Sequence, residues 1–272
     1  MNANPLARPA AGVHGFTLAE LAVVMVIVGL LLGGLLLPLT KQMDGRTITE
    51  TTRQLEEIKE ALIGFALANG RLPCPAVPDT PSGTTVASLA AGTERTTCTG
   101  SNASGVLPWA TLGIRETDAW GRRLTYRVTA TFAASTPPNY GCASAPSPTP
   151  SIAYALCSTG DMTIYTKTPS SRPAPGTTIA SNVVAIIISH GKNGYGAYMP
   201  SGLQMSSPPA VNIDETLNKT VGTSFITRER SDYTDICSDT LTTSPFCEYD
   251  DIIAWIPYTT LLGKTVAAGK LP

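Results

Sequence analysis

The sequence predicts an α+β protein: a long N-terminal α-helix, membrane-spanning in its first half, packed by its second half on the antiparallel β-sheet of a globular head. Three observations predict it. Residues 16–37 form a nearly unbroken apolar run, interrupted only by Thr17 and Glu20. Residues 41–70 then place Ile48, Leu55, Ile58, Leu62 and Phe65 along one helical stripe. Beyond residue 70 the chain breaks into short β-patterned segments separated by Pro, Gly, Ser and Thr.

The apolar run comes first. About 22 helical residues at about 1.5 Å each span about 33 Å, enough for a bilayer core of about 30 Å. A removable secretory signal needs a shorter apolar stretch, about 7–15 residues, followed by a small-residue cleavage site. Here the run is longer and Leu39-Thr40-Lys41-Gln42 follows it, which favours a retained anchor. Glu20 is the exception within the run. An acid costs about 2.5–3.5 kcal/mol at the bilayer centre and less near the headgroups. It therefore lies at headgroup level or meets a specific cation. All six cysteines follow the anchor, which suits an oxidising exterior for the head. Asn69-Gly70, with Pro73 and Pro75 beyond, ends the helix.

Gly15-Phe16-Thr17-Leu18-Ala19-Glu20-Leu21, running straight into the apolar stretch, resembles the N-terminal signature of type IV pilins and type II secretion pseudopilins. The resemblance implies a leader over 1–15, cut by a prepilin peptidase between Gly15 and Phe16, and N-methylation of Phe16. It implies that Glu20 pairs with the α-amino group of a neighbouring subunit during assembly, because two charges in low dielectric compensate only where they meet. Four segments follow: leader 1–15, transmembrane helix 16–38, amphipathic continuation 39–70 and β-rich head 71–272. The implied partners are the peptidase, other pilin or pseudopilin subunits, the inner-membrane assembly platform and the lipid bilayer. The implied location is the bacterial inner membrane, with the head in the periplasm or on an extracellular pilus.

Within the head, residues 124–132 alternate like a strand, and 152–156 and 162–167 read as short strands. The apolar run 183–189 reads as the central strand, and 252–256 as another. Residues 133–151 and 168–178 read as surface loops. Asp118-Ala119-Trp120-Gly121 with Tyr126, the loop Ser189-His190-Gly191-Lys192-Asn193-Gly194, and Asp250-Asp251-Ile252-Ile253-Ala254-Trp255 resemble head motifs of major pseudopilins and related minor pilin-like proteins. On this reading Trp120 plugs the core beside the helix, Gly121 allows a tight turn and Asp118 caps backbone N–H groups. The resemblance leaves insertions at 76–104, 133–151 and 200–248 unexplained. In major pseudopilins the Gly-rich loop and a nearby acidic pair help bind calcium. Here Lys192 and Asn193 stand where acids would help, so no cofactor is expected and turn capping is the favoured role, with calcium at Asp250 and Asp251, and Asp232, Asp235 and Asp239 near in sequence, as the alternative.

Cys74, Cys98, Cys142, Cys157, Cys237 and Cys247 allow fifteen pairings, of which nearest-neighbour pairing (74–98, 142–157, 237–247) is the simplest. No C-x-x-C exists for a zinc ribbon or redox site. Beyond the leader His190 is the one histidine, so a Ser–His–Asp relay would need it; its loop setting reads as exposed and polar. No G-x-S-x-G, H-E-x-x-H or phosphate loop is present. Asn102 and Asn218 begin glycosylation sequons. A formal net charge of −1 argues against a basic nucleic-acid face, and no nucleic-acid partner is expected. The combined reading is a non-enzymatic minor pilin or pseudopilin. The alternatives are a pilus-tip adhesin or binding module, and a membrane-anchored periplasmic enzyme.

Overall fold

The computed structural model describes residues 15, 17–134, 152–167, 176–210, 212–219, 222–231, 238, 244 and 248–271; the side chains of 32–41 lie outside that set. The chain divides into two compact units, Met1–Arg46 and Thr47–Pro272. Helix α1, Leu18–Asn69, runs through both. Among the described residues no helix is long and apolar enough to cross a membrane. The end of the predicted span, residues 32–38, falls where side chains are not described.

In the second unit α1 buries Leu55, Ile58, Leu62, Ile63 and Ala66. This is the predicted stripe, shifted at its ends: Ile48 and Phe65 are only half-buried. Phe65 instead lies under the Arg71 guanidinium, 5.6 Å from its ring centre. The Gly70 N–H bonds Ala66 O in a left-handed cap, which stops the helix where the sequence placed the stop.

The sheet orders β3 (Ser104–Val106), β4 (Thr125–Val128), β6 (Thr177–Ser189), β5 (Met162–Thr166) and β7 (Ser224–Ile226), with β8 (Ile252–Pro257) also on β6. All pairs are antiparallel except β5 with β7, which run parallel, so the wholly antiparallel sheet is corrected. As expected, 183–189 is central: β4 pairs with it over 185–188 and β8 over 183–189. Its faces alternate. Ala185 and Ile187 join Tyr126, Val128, Ile256 and the α1 stripe, while Ile186 and Ile188 join Met162, Ile164 and Phe225 on the other side. A register shift between Val183 and Ala185 leaves both Val184 and Ala185 on the α1 face. Helix α5, Tyr258–Ala267, closes that face with Leu261 and Leu262.

Two strand expectations are corrected. The segment 124–132 splits into β4 and the short helix α3, Ala130–Ala133, because the Phe132 N–H turns back to Thr129 O. Residues 152–155 form no strand, although each is buried. The insertion 200–248 contributes helix α4, Ile213–Lys219, and strand β7. The remaining elements are β1 (Thr85–Val86), β2 (Leu89–Ala90), a 3-10 helix (Gly100–Ala103) and α2 (Trp109–Leu112). Most of the predicted loop segments 133–151 and 168–178 lies outside the described residues.

The insertion 76–104 is tied down by charge and by a disulfide. Cys74 bonds Cys98, as expected from nearest-neighbour pairing. Arg71 grips Glu94 with two bonds, 2.7 and 2.8 Å, and Glu94 also accepts the Cys74 N–H at 3.0 Å. Fully buried Arg123 stacks on Trp109 at 4.6 Å and bonds Glu116, Pro78 O and Pro200 O. Cys157 is also disulfide-bonded, to a partner outside the described residues; Cys142, Cys237 and Cys247 lie there too.

The β1–β2 hairpin turns on Ala87 (φ 49°) and Ser88 (φ 68°), both left-handed. Such a two-residue turn favours Asn-Gly, and each non-glycine residue stores about 1 kcal/mol or more. Replacing Ala87 with Asn and Ser88 with Gly together is expected to stabilise the full chain by about 1–2 kcal/mol in detergent melts. An unchanged or lower midpoint counts against the strain.

Candidate functional site

The start of α1 carries a reciprocal cap. Glu20 accepts the Thr17 N–H at 2.8 Å and the Thr17 hydroxyl at 3.0 Å, while Thr17 Oγ1 accepts the Glu20 N–H at 3.2 Å. This is a capping box with Thr17 at the N-cap and Glu20 at the third helical position. Thr17 was not singled out from the sequence, although the T-x-x-E spacing is its signal. Gly15 lies two residues before the box outside any helix, and Phe16 lies outside the described residues. The apolar side chains that follow are exposed, Leu18 by 89% and Leu30 by 73%. A helix covered with bare apolar side chains needs lipid or other helices around it.

The head motifs converge around the end of β6. Asp118 Oδ1 accepts the N–H groups of Trp120 and Arg122, at 2.9 and 3.0 Å, and Asp118 Oδ2 accepts the Ser189 hydroxyl at 2.6 Å. Gly121, at φ +78°, closes that turn. Trp120 is half-buried and belongs to none of the core clusters, so its plugging role is corrected. The turn around Asp118 holds it near the surface, and Trp109 packs with Ala76 and Val106 instead. Arg122 donates to Gly191 O and to Lys192 O, joining the Asp118 turn to the Gly-rich loop.

Behind that loop Glu215, Asp250 and Asp251 are all buried, with one oxygen from each within 4.8 Å of the others. Their positions follow from local structure. Asn212 caps α4: its Oδ1 accepts the Glu215 N–H at 3.4 Å, and its Nδ2 donates to Glu215 Oε2 at 3.0 Å. Asn193 donates its side-chain amide to Glu215 Oε1 at 2.8 Å and its N–H to Asp250 Oδ2 at 2.8 Å. Asn218 donates to Asp251 Oδ2 at 2.7 Å. Gly191 is required beside them: at φ +51°, a Cβ there would fall 2.5 Å from Asp250 Oδ1. Asp250 Oδ1 and Asp251 Oδ1 remain buried without a hydrogen-bond partner.

Burial, reinforced by the charge of Asp251, pushes the Glu215 carboxyl up to about 9. Burial, against the N–H bond from Asn193, pushes Asp250 up to about 7. Hard oxygen ligands, an excess of acid and two orphaned buried carboxylate oxygens fit a hard divalent cation in kind. Asp250 and Asp251 were the residues read from sequence; Glu215 was missed because α4 is too short to show a period. Its signal was the Asn-x-x-Glu cap.

His190 is buried, not exposed as its loop setting suggested. Its Nε2 lies 2.9 Å from Thr125 Oγ1 and its Nδ1 3.3 Å from Asp251 Oδ1. The order hydroxyl, imidazole, carboxylate is that of a hydrolase relay, but the His190–Asp251 contact lacks hydrogen-bond geometry. Ser189 is committed to Asp118. The Asn218 sequon is closed to modification in the folded chain, since Asn218 is fully buried; Asn102 is exposed.

The raised carboxyls set a pH dependence. An acid whose folded pKa lies above its unfolded value binds a proton the unfolded chain has lost, so stability falls as pH rises between the two. With divalent cations chelated, the midpoint of the full chain should fall between about pH 5 and about pH 9, and Glu215→Gln should remove most of the fall. A flat profile in the parent chain contradicts the protonated cluster.

No curated protein and no solved structure matches the chain. The family model of the prokaryotic N-terminal methylation motif matches residues 11–36, a stretch that contains Gly15, Phe16 and the Thr17–Glu20 box. Such a signal-anchor motif points to membrane association and to a pilin-like protein. Residues 11–36 therefore carry the type IV pilin and pseudopilin signature.

Proposed function

We propose that this chain is a structural subunit, a minor pilin or pseudopilin, of a type IV pilus or type II secretion pseudopilus. A prepilin peptidase cuts between Gly15 and Phe16, and Phe16 becomes N-methylated. The apolar start of α1 holds the subunit in the bacterial inner membrane with the head in the periplasm, then packs against other subunits on the assembly platform. The observation that carries this reading is the capped acid at the head of an exposed apolar helix, inside the matched motif. Thr17 satisfies Glu20 while the subunit is alone. The α-amino group of a neighbour offers a full charge in its place, and in low dielectric that exchange rewards one axial register. The insertions favour a minor role, because a bulky head is harder to repeat along a fibre than to place once at its tip.

The head in this reading carries a hard divalent cation, calcium by resemblance, held by Glu215, Asp250 and Asp251. Bound there, it supplies the positive charge that otherwise has to come from protons. Because Glu215 comes from α4 and the aspartates precede β8, the ion joins the 200–248 insertion to the sheet.

Mass spectrometry of the membrane-extracted product is expected to find an N-terminus at methylated Phe16. A product starting beyond residue 37 overturns the subunit reading. Glu20→Ala should leave cleavage intact and abolish crosslinking to neighbouring subunits. Calcium at about 100-fold excess over its Kd should stabilise the full chain by about 2.7 kcal/mol. Glu215→Gln should remove that gain, and no gain in the parent chain overturns the cation reading.

A further inference from the structure

Two residues on one face of α4 do different work. Glu215 faces the acidic cluster. Asn218, three positions on, faces β7. The Asn218 side chain treats Ile226 as a neighbouring strand would. Its Oδ1 accepts the Ile226 N–H at 2.9 Å and its Nδ2 donates to Ile226 O at 2.9 Å. The Tyr249 hydroxyl donates to the same carbonyl at 2.7 Å. On the other side of β7 the ladder runs to β5, where Ile226 pairs with Tyr165. One amide thus occupies both backbone groups of Ile226, which an added strand would use, and Asn218 is fully buried in doing so.

The same amide nitrogen donates to Asp251 Oδ2 at 2.7 Å, and the other oxygen of Asp251 is one of the two orphans of the cluster. The cluster and the β7 edge therefore share a single side chain. We propose that α4 is a cation-pinned plug: a divalent ion on Glu215, Asp250 and Asp251 holds Asn218 against Ile226, and loss of the ion opens that edge of the sheet. This rests on the cation reading above and adds what the ion controls.

The charges around α4 shape the movement. On the cluster side stand Asp250 and Asp251, with His190 behind Asp251. On the other side Asp214 pairs with Lys167 from the end of β5, at 2.5 Å, and with Arg228 beyond β7, at 2.8 Å. Those pairs persist when the ion leaves. α4 therefore stays tethered at Asp214 and swings its Glu215–Asn218 face away, instead of detaching. The ion is what ties Glu215 to the two aspartates, and Glu215 is the one of the three on a short insertion helix.

Hydrogen exchange on the full processed chain in detergent reads the plug directly, through the Ile226 amide, with the Ile187 amide of β6 as control. Replacing calcium by a chelator is expected to speed Ile226 exchange about tenfold or more and to leave Ile187 unchanged. Asn218→Ala should make Ile226 exchange fast with or without calcium. If calcium raises the melting midpoint but leaves Ile226 exchange unchanged, the plug is overturned and the cation site stands. If calcium alters neither, the cation reading fails and the plug with it. Slow Ile226 exchange in a folded Asn218→Ala chain also overturns the plug.

Discussion

A carboxylate has to be met by donors, by a proton, by a cation or by water, and this chain places two acids at the third position of a capped helix, Glu20 exposed and Glu215 buried. Glu20 is the third residue of a helix capped by Thr17, and Glu215 is the third residue of a helix capped by Asn212. The cap, a reciprocal box at Thr17 and a side-chain amide at Asn212, positions each acid without using it up. A carboxylate has about four acceptor sites, and the helix start takes one or two. The remainder faces outward at Glu20 and into the cluster at Glu215. Local helix chemistry thus holds a carboxyl group with acceptor capacity to spare at a defined point, which is what a joint between separate pieces requires.

In the head that joint sits at the end of β6. The strand is buried from Val183 to Ser189 and carries the ladders of both β4 and β8. It therefore fixes where Ser189 meets Asp118 and where Gly191 lies against Asp250. The polar contacts around it run outward to the insertions. Arg123 reaches Pro78 and Pro200, Arg122 reaches the Gly-rich loop, and Asn193 reaches Glu215 on α4. The insertions are thus bound to the sheet mainly by buried polar groups, whose cost when unpaired is high and whose geometry is specific.

This explains which parts of the molecule were readable from sequence. The α1 stripe and the central strand are carried by residues close together in the chain, so periodicity shows them, and the N-terminal motif and the Asp250–Asp251 pair lie in short segments whose resemblance to known motifs shows them. Glu215 lies 35 positions before Asp250 inside a segment without a period, and only the fold brings them together. Trp120 and Trp109 have similar local settings, and the stacking of Arg123 decides that Trp109 is the inner one. His190 looked like a loop residue because Gly191 follows it. The left-handed turn at Gly191 is what folds the loop back over Asp250 and buries the imidazole.

The two acids also differ in what satisfies them. Around Glu20 the described residues of the helix are apolar and exposed and offer no counter-charge. Around Glu215 the donors are amides of Asn193 and Asn212, neutral groups that orient a carboxylate but do not neutralise it. Asparagine in place of an acid at position 193 therefore has a physical sense. It removes one negative charge from an already crowded site and contributes a donor that locks Glu215 toward the cluster. Asp250 Oδ1 and Asp251 Oδ1 are left without a hydrogen bond, the second with His190 Nδ1 3.3 Å away.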